Sequence, residues 1–374
     1  MTAMSVLSKN TFVGERLQLA REFRDLTQKQ LGDKVAASHA LVSLCESGKR
    51  TDPAADLIEA FGTVLGFEVD FFYQPNGEIF QEDECSFRHR RSTPERLKTK
   101  IRAHASLLGM VLERLRRHFK FPTLNIPKMP ASTDQDIENA AEQARQHWGL
   151  GIDAPISDIG RVMEHAGVFL VSHLAESSQV DAFSRDGSTA VIFLNQGVQS
   201  TSRWVFDIGH ECGHLVMHSG IQTGTKETEA AADRFAGAFL LPRVAFAREF
   251  RTSPFSWKHV FNLKKRWKAS AAAIIKRAYD LRLIDAVEYR QSFKYMSARG
   301  WRKGGEPNEP DFKGPELLST ALSALGTKIE LTIEQLCREL HFAPETFLTV
   351  TGVSVPLPKG KPIEVIPIRA TGAG

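Results

Sequence analysis

The pentapeptide His210-Glu211-Cys212-Gly213-His214 constrains this 374-residue chain more than any other stretch. On an α-helix, residues four apart lie one above the other, with Cβ atoms roughly 5–6 Å apart. His210 and His214 can therefore close on one divalent ion, with Glu211 beside the remaining coordination position as a candidate base. The flanks, Trp204 to Ile208 and Leu215 to Met217, are mostly apolar, as a buried helix requires. The alternative is a pair of core histidines, and a third ligand decides between the two.

Downstream, Glu229 opens an alanine-rich helical stretch that runs to Leu241 and is stopped by Pro242. A catalytic zinc takes three protein ligands and leaves one position for water. Glu229 can supply the third, and Asp233, four residues on and so on the same face, can accept the free ring N–H of a ligand histidine. Glu227, just outside the hydrophobic run, is the competing ligand. His218 lies on the histidine face two turns beyond His210, so it too can exchange roles with a ligand.

An H-E-x-x-H followed by E-x-x-x-D on a second helix resembles the gluzincin metallopeptidases. More closely, Phe206 to His218, then Glu229 to Pro242, resembles the ImmA/IrrE metallopeptidase family. The likeness extends upstream through Asp181 to Ser184 and Val191 to Asn195, and downstream through Lys264 to Lys268 and Ala271 to Ala278, covering roughly residues 130–300. Cys212 and Asp207 depart from the family pattern. Cys212 faces away from the two histidines and reads as core. The resemblance implies a regulatory protease that cuts a repressor or antitoxin under stress or on prophage induction.

The N-terminus carries an independent signal. Glu15 to Arg21 reads as a helix, Thr27 caps a second through Val35, Ala36-Ala37 make a turn, and Ser38 caps a third ending at Ser47-Gly48-Lys49. This helix-turn-helix layout over residues 13–73 resembles the Cro/repressor (XRE) family. That likeness would put His39, Ala40, Ser43 and Leu44, behind the Ser38 cap, toward a major groove, with Gln28 and Lys49 on phosphates. Only His39 and Ser43 offer hydrogen bonds to bases, and acidic residues outnumber basic ones from Val13 to Tyr73. A protein-docking or dimerising module, including a homodimer, is the competing use.

Positive charge gathers next to it: Arg88 to Arg91, Arg96, Lys98, Lys100 and Arg102, then Arg114, Arg116, Arg117 and Lys120 interleaved with Leu112, Leu115 and Phe119. Near-helical spacing makes this a basic amphipathic connector for DNA or RNA, single-stranded DNA included, or else a solvated face.

Net charge is only +4, and the four cysteines are dispersed without a C-x-x-C pair. With no signal-peptide h-region and no apolar run near ~20 residues, the expected setting is the cytoplasm, with no membrane partner. Breaks at Gln74 to Gly77, Phe121 to Pro130 and Gly304 to Pro310 give an α+β multidomain chain. Its parts are an all-α helix-turn-helix bundle (1–75), a basic helical connector (76–130), a zincin-like α+β peptidase domain (131–303) and a small C-terminal domain (304–374). Helices are expected at Asp134 to His147, Ile156 to His165, Pro315 to Leu325 and Thr332 to Leu340, strands at Val168 to Val171 and Ala190 to Leu194, and an extended arm at Ser354 to Arg369.

The expected chemistry is zinc-dependent peptide hydrolysis. His210, His214 and Glu229 hold Zn²⁺, for which Mn²⁺ is an alternative, and Glu211 moves the proton. His218 and His173 are candidates for oxyanion stabilisation, though both also fit structural roles. The competing function is a transcription regulator or antitoxin whose metal domain senses a ligand without proteolysis. A scaffold without metal is a third.

Overall fold

Side-chain oxygens start nine of the sixteen helices among the described residues, each accepting a backbone N–H that the first turn leaves unpaired. The computed structural model describes residues 11–75, 85–87, 95–173, 182–185, 189–195, 200–221, 223–251, 254–302, 305–311, 313–353 and 366–367. In chain order these hold α1 (Gly14–Phe23), α2 (Gln28–Lys34), α3 (His39–Glu46), α4 (Ala55–Leu65), a 3-10 turn (Val69–Tyr73), β1 (Cys85–Phe87), α5 (Glu95–Leu115) and β2 (Phe119–Lys120). Then come α6 (Asp134–His147), α7 (Ile159–His165), β3 (Phe169–His173), β4 (Ala182–Arg185), β5 (Val191–Asn195), α8 (Thr201–Met217), α9 (Lys226–Leu240) and α10 (Arg243–Phe250). The last are α11 (Trp257–Trp267), α12 (Ala271–Asp280), α13 (Ala286–Ala298), α14 (Leu317–Ala324), α15 (Ile333–Leu340), α16 (Pro344–Thr351) and β6 (Ile366–Pro367). The mixed α+β class agrees with the sequence pattern.

One four-stranded sheet, in the order β1-β4-β5-β3, organises the molecule. β3 and β5 run parallel, with Phe169 opposite Val191, and the other pairs are antiparallel. All five residues of β5 are buried, so the sheet is covered on both sides, as a continuous apolar run demands. Because strand side chains alternate, the two faces serve different cores. Phe169, Val171, Val191 and Phe193 join α1, α4, α5 and α14 to α16 in one core. Leu170, Ile192 and Leu194 join α6 to α12 in the other.

The segment read as a basic connector is the spine of the first core. In α5, Ile101, Leu107, Leu108, Val111, Leu112 and Leu115 are buried, and the helix packs on α1, α15 and α16. His104, buried and with its ring pushed down to about 4 by that burial, bonds the Val350 carbonyl at 2.8 Å and meets the rings of Phe23 and Phe193. The helical spacing expected through Lys120 ends at Leu115. Arg117 and His118 tighten into i→i+3 bonds to Arg114 and Leu115, and Phe119 and Lys120 pair with β6. Arg88 to Arg91 and most of the expected C-terminal arm lie outside the described residues. The C-terminal helices dock tightly on β3: Gly352 has φ +63°, and a Cβ there would collide with the Ser172 carbonyl.

Expected and observed helices agree closely for α6, where Thr133 forms a capping box with Asp136. α7 begins three residues later than expected because Asp158 caps it. Across the molecule, Glu164 of α7 caps α14, its Oε1 accepting from Glu316 N (2.9 Å) and Leu317 N (2.8 Å). Burial pushes this carboxyl up to about 8, against the pull of those two N–H groups, with the Glu316 charge adding to the rise. The folded chain therefore keeps a proton on Glu164 between about pH 4.5 and 8, where the unfolded chain has released it. Stability falls as pH rises through that window. Glu164→Gln keeps an acceptor oxygen and cannot ionise. Its melting temperature should gain on the wild type steadily from pH 5.5 to 8.5, by on the order of a few kcal/mol in stability; parallel melting curves would refute the protonated assignment.

Candidate metal centre

α8 places its site by being almost wholly buried from Ser202 to Met217. Gly209 and Gly213 let α9 approach: a Cβ at Gly213 would lie 3.1 Å from the Phe235 ring, and one at Gly209 3.4 Å from the Ala236 Cβ. The second helix starts at Thr225, whose capping box with Thr228 fixes the turn that carries Glu229.

Across this contact, donor atoms of His210, His214 and Glu229 lie within 4.8 Å of one another. The Nε2 atoms of the two histidines are 3.1 Å apart. Glu229 Oε2 is 3.4 Å from His210 Nε2, and its Oε1 is 3.3 Å from His214 Nε2. Burial alone would raise the Glu229 carboxyl, but hydrogen bonding and charge from the two histidines outweigh it and hold it at about 2. The competing ligand Glu227 is exposed and lies outside the cluster.

The outer ring nitrogens show why this cluster fits a cation. His210 Nδ1 donates to Asp233 Oδ1 at 2.8 Å, which turns its Nε2 toward the cluster. His214 Nδ1 faces His218 Nδ1 at 2.9 Å. Burial, with the neighbouring His214, pushes His218 down to about 4, so His218 is neutral and free to accept the His214 N–H. Two ring nitrogens and a carboxylate then converge on one point. Two imidazoles and one carboxylate are a donor set that suits a divalent cation and leaves a further coordination position open. Glu211, next along the helix from His210, is fully buried.

Cys212 is buried in the core, as expected, and burial pushes its thiol strongly upward. His218 was foreseen as a stray ligand or an oxyanion group; here it serves His214. The His173 side chain lies outside the described residues.

The candidate DNA residues lie in a separate part of the molecule. Ser38 Oγ accepts from Leu41 N at 3.2 Å and starts α3, the Ala36 of the preceding turn taking φ 54°. His39, Ala40 and Lys49 are exposed, and Ser43 is half-buried. The amide of Gln28 is turned inward, bonding Glu46 Oε2 at 2.7 Å, where Glu46 also grips Arg21. Several connector cations are paired within the chain: Arg96 with Asp25, Lys98 with Glu95, Arg114 with Glu339 and Arg117 with Glu113.

Sequence reading missed one group that acts on α8. The Ser200 side chain makes no cap hydrogen bond to the first turn of this helix. Glu309, over a hundred residues away, takes that place: Ser202 N donates to its Oε2 at 2.8 Å. The local signal was two glutamates each followed by proline, Glu306-Pro307 and Glu309-Pro310, in a stretch that otherwise reads as a linker.

The Peptidase_M78 family model, the IrrE N-terminal-like domain, matches residues 163–279. Both helices of the metal cluster fall inside that span, which is similar to a metallopeptidase-type enzyme domain. No curated protein matches the chain. Among the described residues, no helix is long and apolar enough to cross a membrane.

Proposed function

We propose that this chain is a zinc-dependent regulatory metallo-endopeptidase with a DNA-binding helix-turn-helix, cleaving a repressor or antitoxin partner in a stress, prophage or defence response. The observation that carries it is the buried convergence of His210, His214 and Glu229 beside Glu211, inside the stretch similar to IrrE.

His210, His214 and Glu229 would hold the ion. Bound zinc supplies Lewis-acid polarisation of the scissile carbonyl and brings the pKa of water toward about 7. Mn²⁺ suits the same ligands. Glu211 accepts the proton of the attacking water and returns it to the amine nitrogen as the C–N bond breaks. Asp233 and His218 hold the two imidazoles so that both Nε2 atoms face inward.

In this reading residues 1–75 recruit the protein to DNA or to DNA-bound partners, as a monomer or a homodimer, and 76–130 link that module to the peptidase domain at 131–303. The link is supported by β1, which pairs with β4 of the sheet that α8 packs against, and by α5, which packs on α1. Residues 304–374 form the remaining part. The exposed His39, Ala40 and Lys49, with Ser43 beside them, support contact with an operator, and Gln28 and Ser38 would serve as helix-start groups near its backbone.

The test is zinc content of the purified full chain, followed by incubation with repressor-like proteins encoded beside it, with and without single-stranded DNA. Stoichiometric zinc with cleavage supports the protease. Zinc without cleavage of any such protein favours the ligand-sensing regulator. No zinc, even after reconstitution, ends this reading.

A further inference from the structure

The chain that leaves the peptidase helices after α13 does not simply depart. Glu309 receives Ser202 N at 2.8 Å, Ser202 Oγ at 3.1 Å and Ser200 Oγ at 3.2 Å, all at the start of α8. Lys264 of α11, wholly buried, donates to Glu309 Oε1 at 2.6 Å and to Glu306 Oε2 at 2.7 Å. Glu306 Oε2 also accepts from Ala271 N at 2.9 Å, the first residue of α12. A short strap, residues 305–311, thus clasps the starts of two helices through one buried ammonium. In return, Glu164 caps α14, the next helix along the chain, so each side of the junction supplies the carboxyl oxygen that starts a helix of the other.

The strap matters to the metal cluster because the cluster spans two helices. The histidines ride on α8 and Glu229 on α9, so their convergence depends on how far one helix is offset along the other. At the contact itself α8 presents Gly209 and Gly213 to Ala236 and Phe235 of α9, and His210 bonds Asp233. The ends of α8 are fixed as well: Lys128 Nζ on the Leu215 carbonyl and Met129 N on the Val216 carbonyl at one end, and Glu309 at the other.

We propose that Glu309 is a positioning residue for the metal centre. Through the N-terminus of α8 it sets the axial register of His210 and His214 against Glu229, and it makes that register depend on where the C-terminal helices hold the strap. This rests on the metallopeptidase reading, and the test separates the two.

Zinc affinity of the full chain is measured by competition with a chromogenic chelator, using zinc alone as the probe, beside helix content and melting. Glu309→Ala should keep wild-type helix content and bind zinc about 10–100-fold more weakly, the loss typical when a group that orients a metal ligand is removed. Glu309→Gln keeps an oxygen for Ser202 and should stay within about threefold of wild type. A cap that only stabilises the fold predicts lower melting with zinc affinity unchanged; Glu309→Ala within about twofold of wild type therefore overturns the proposal. A loss in Glu309→Gln as large as in Glu309→Ala also overturns it, by assigning the effect to the stranded Lys264 charge. Should Glu309→Ala not fold, Glu309→Asp, one methylene shorter, carries the same comparison: weaker zinc at wild-type helix content supports, and unchanged zinc overturns. If the wild type itself takes up no zinc, the metallopeptidase reading fails instead.

Discussion

Glu211→Gln is expected to lower peptide hydrolysis by about 10²–10⁴-fold while leaving bound zinc near wild type. The amide is isosteric with the carboxylate, so the packing of a fully buried side chain is kept. What disappears is the basic carboxylate, and with it, on the proposed mechanism, the proton transfer that both forms the nucleophile and lets the amine leave. His214→Ala separates the roles from the other side. It deletes one of two ring nitrogens in the cluster and strands the His218 partner of its Nδ1, so zinc and activity should fall together. Paired metal analysis and turnover decide the matter. If Glu211→Gln retained a tenth or more of wild-type turnover, Glu211 would not be the base, and the buried carboxylate would have to be explained as structural.

Residue chemistry made the centre legible because its parts are local. His210 and His214 need only the helical repeat, and Glu229 was separable from Glu227 by the apolar character of the residues that follow it. Capping made the helix starts legible too: Thr27 and Ser38 each accept an N–H of the first turn where the sequence puts an N-cap residue. The region from 95 to 120 was harder. Its cations dominate the composition, but they cluster toward the helix ends and beyond, while small residues such as Ala103, Ala105 and Ser106 let the middle of α5 be buried on nearly all sides. His104, the buried contact between α1, β5 and α16, has no sequence signature at all. Glu309 fails for a different reason. Its partners at Ser200 and Ser202 are far away in sequence, and pattern reading registers a long-range cap only as a loop carboxylate.

The same long-range logic predicts the largest stability effect. Arg277 of α12 is 2 % exposed and makes a two-pronged pair with Glu138 of α6, NH2 to Oε2 at 2.8 Å, while its Nε donates to the Leu241 carbonyl at 2.8 Å. That carbonyl lies just past the end of α9, where a helix leaves acceptors unpaired. Arg145, fully buried, likewise donates to the Phe239 carbonyl. Two guanidinium groups thus finish the helix whose other end presents Glu229. Arg277→Ala leaves the Glu138 charge buried without its partner and the Leu241 carbonyl without this donor. Breaking a buried pair on one side costs about 3–5 kcal/mol, a large fraction of the roughly 5–15 kcal/mol that holds a domain folded. Arg277→Lys should recover little, since one ammonium cannot span both carboxylate oxygens and the carbonyl. The double replacement Arg277→Met with Glu138→Leu should recover more than half, because it removes both charges and refills the space. Urea unfolding of the four proteins measures each value. A single-variant loss below about 1 kcal/mol would mean that water reaches Glu138 and that the end of α9 is held by packing alone.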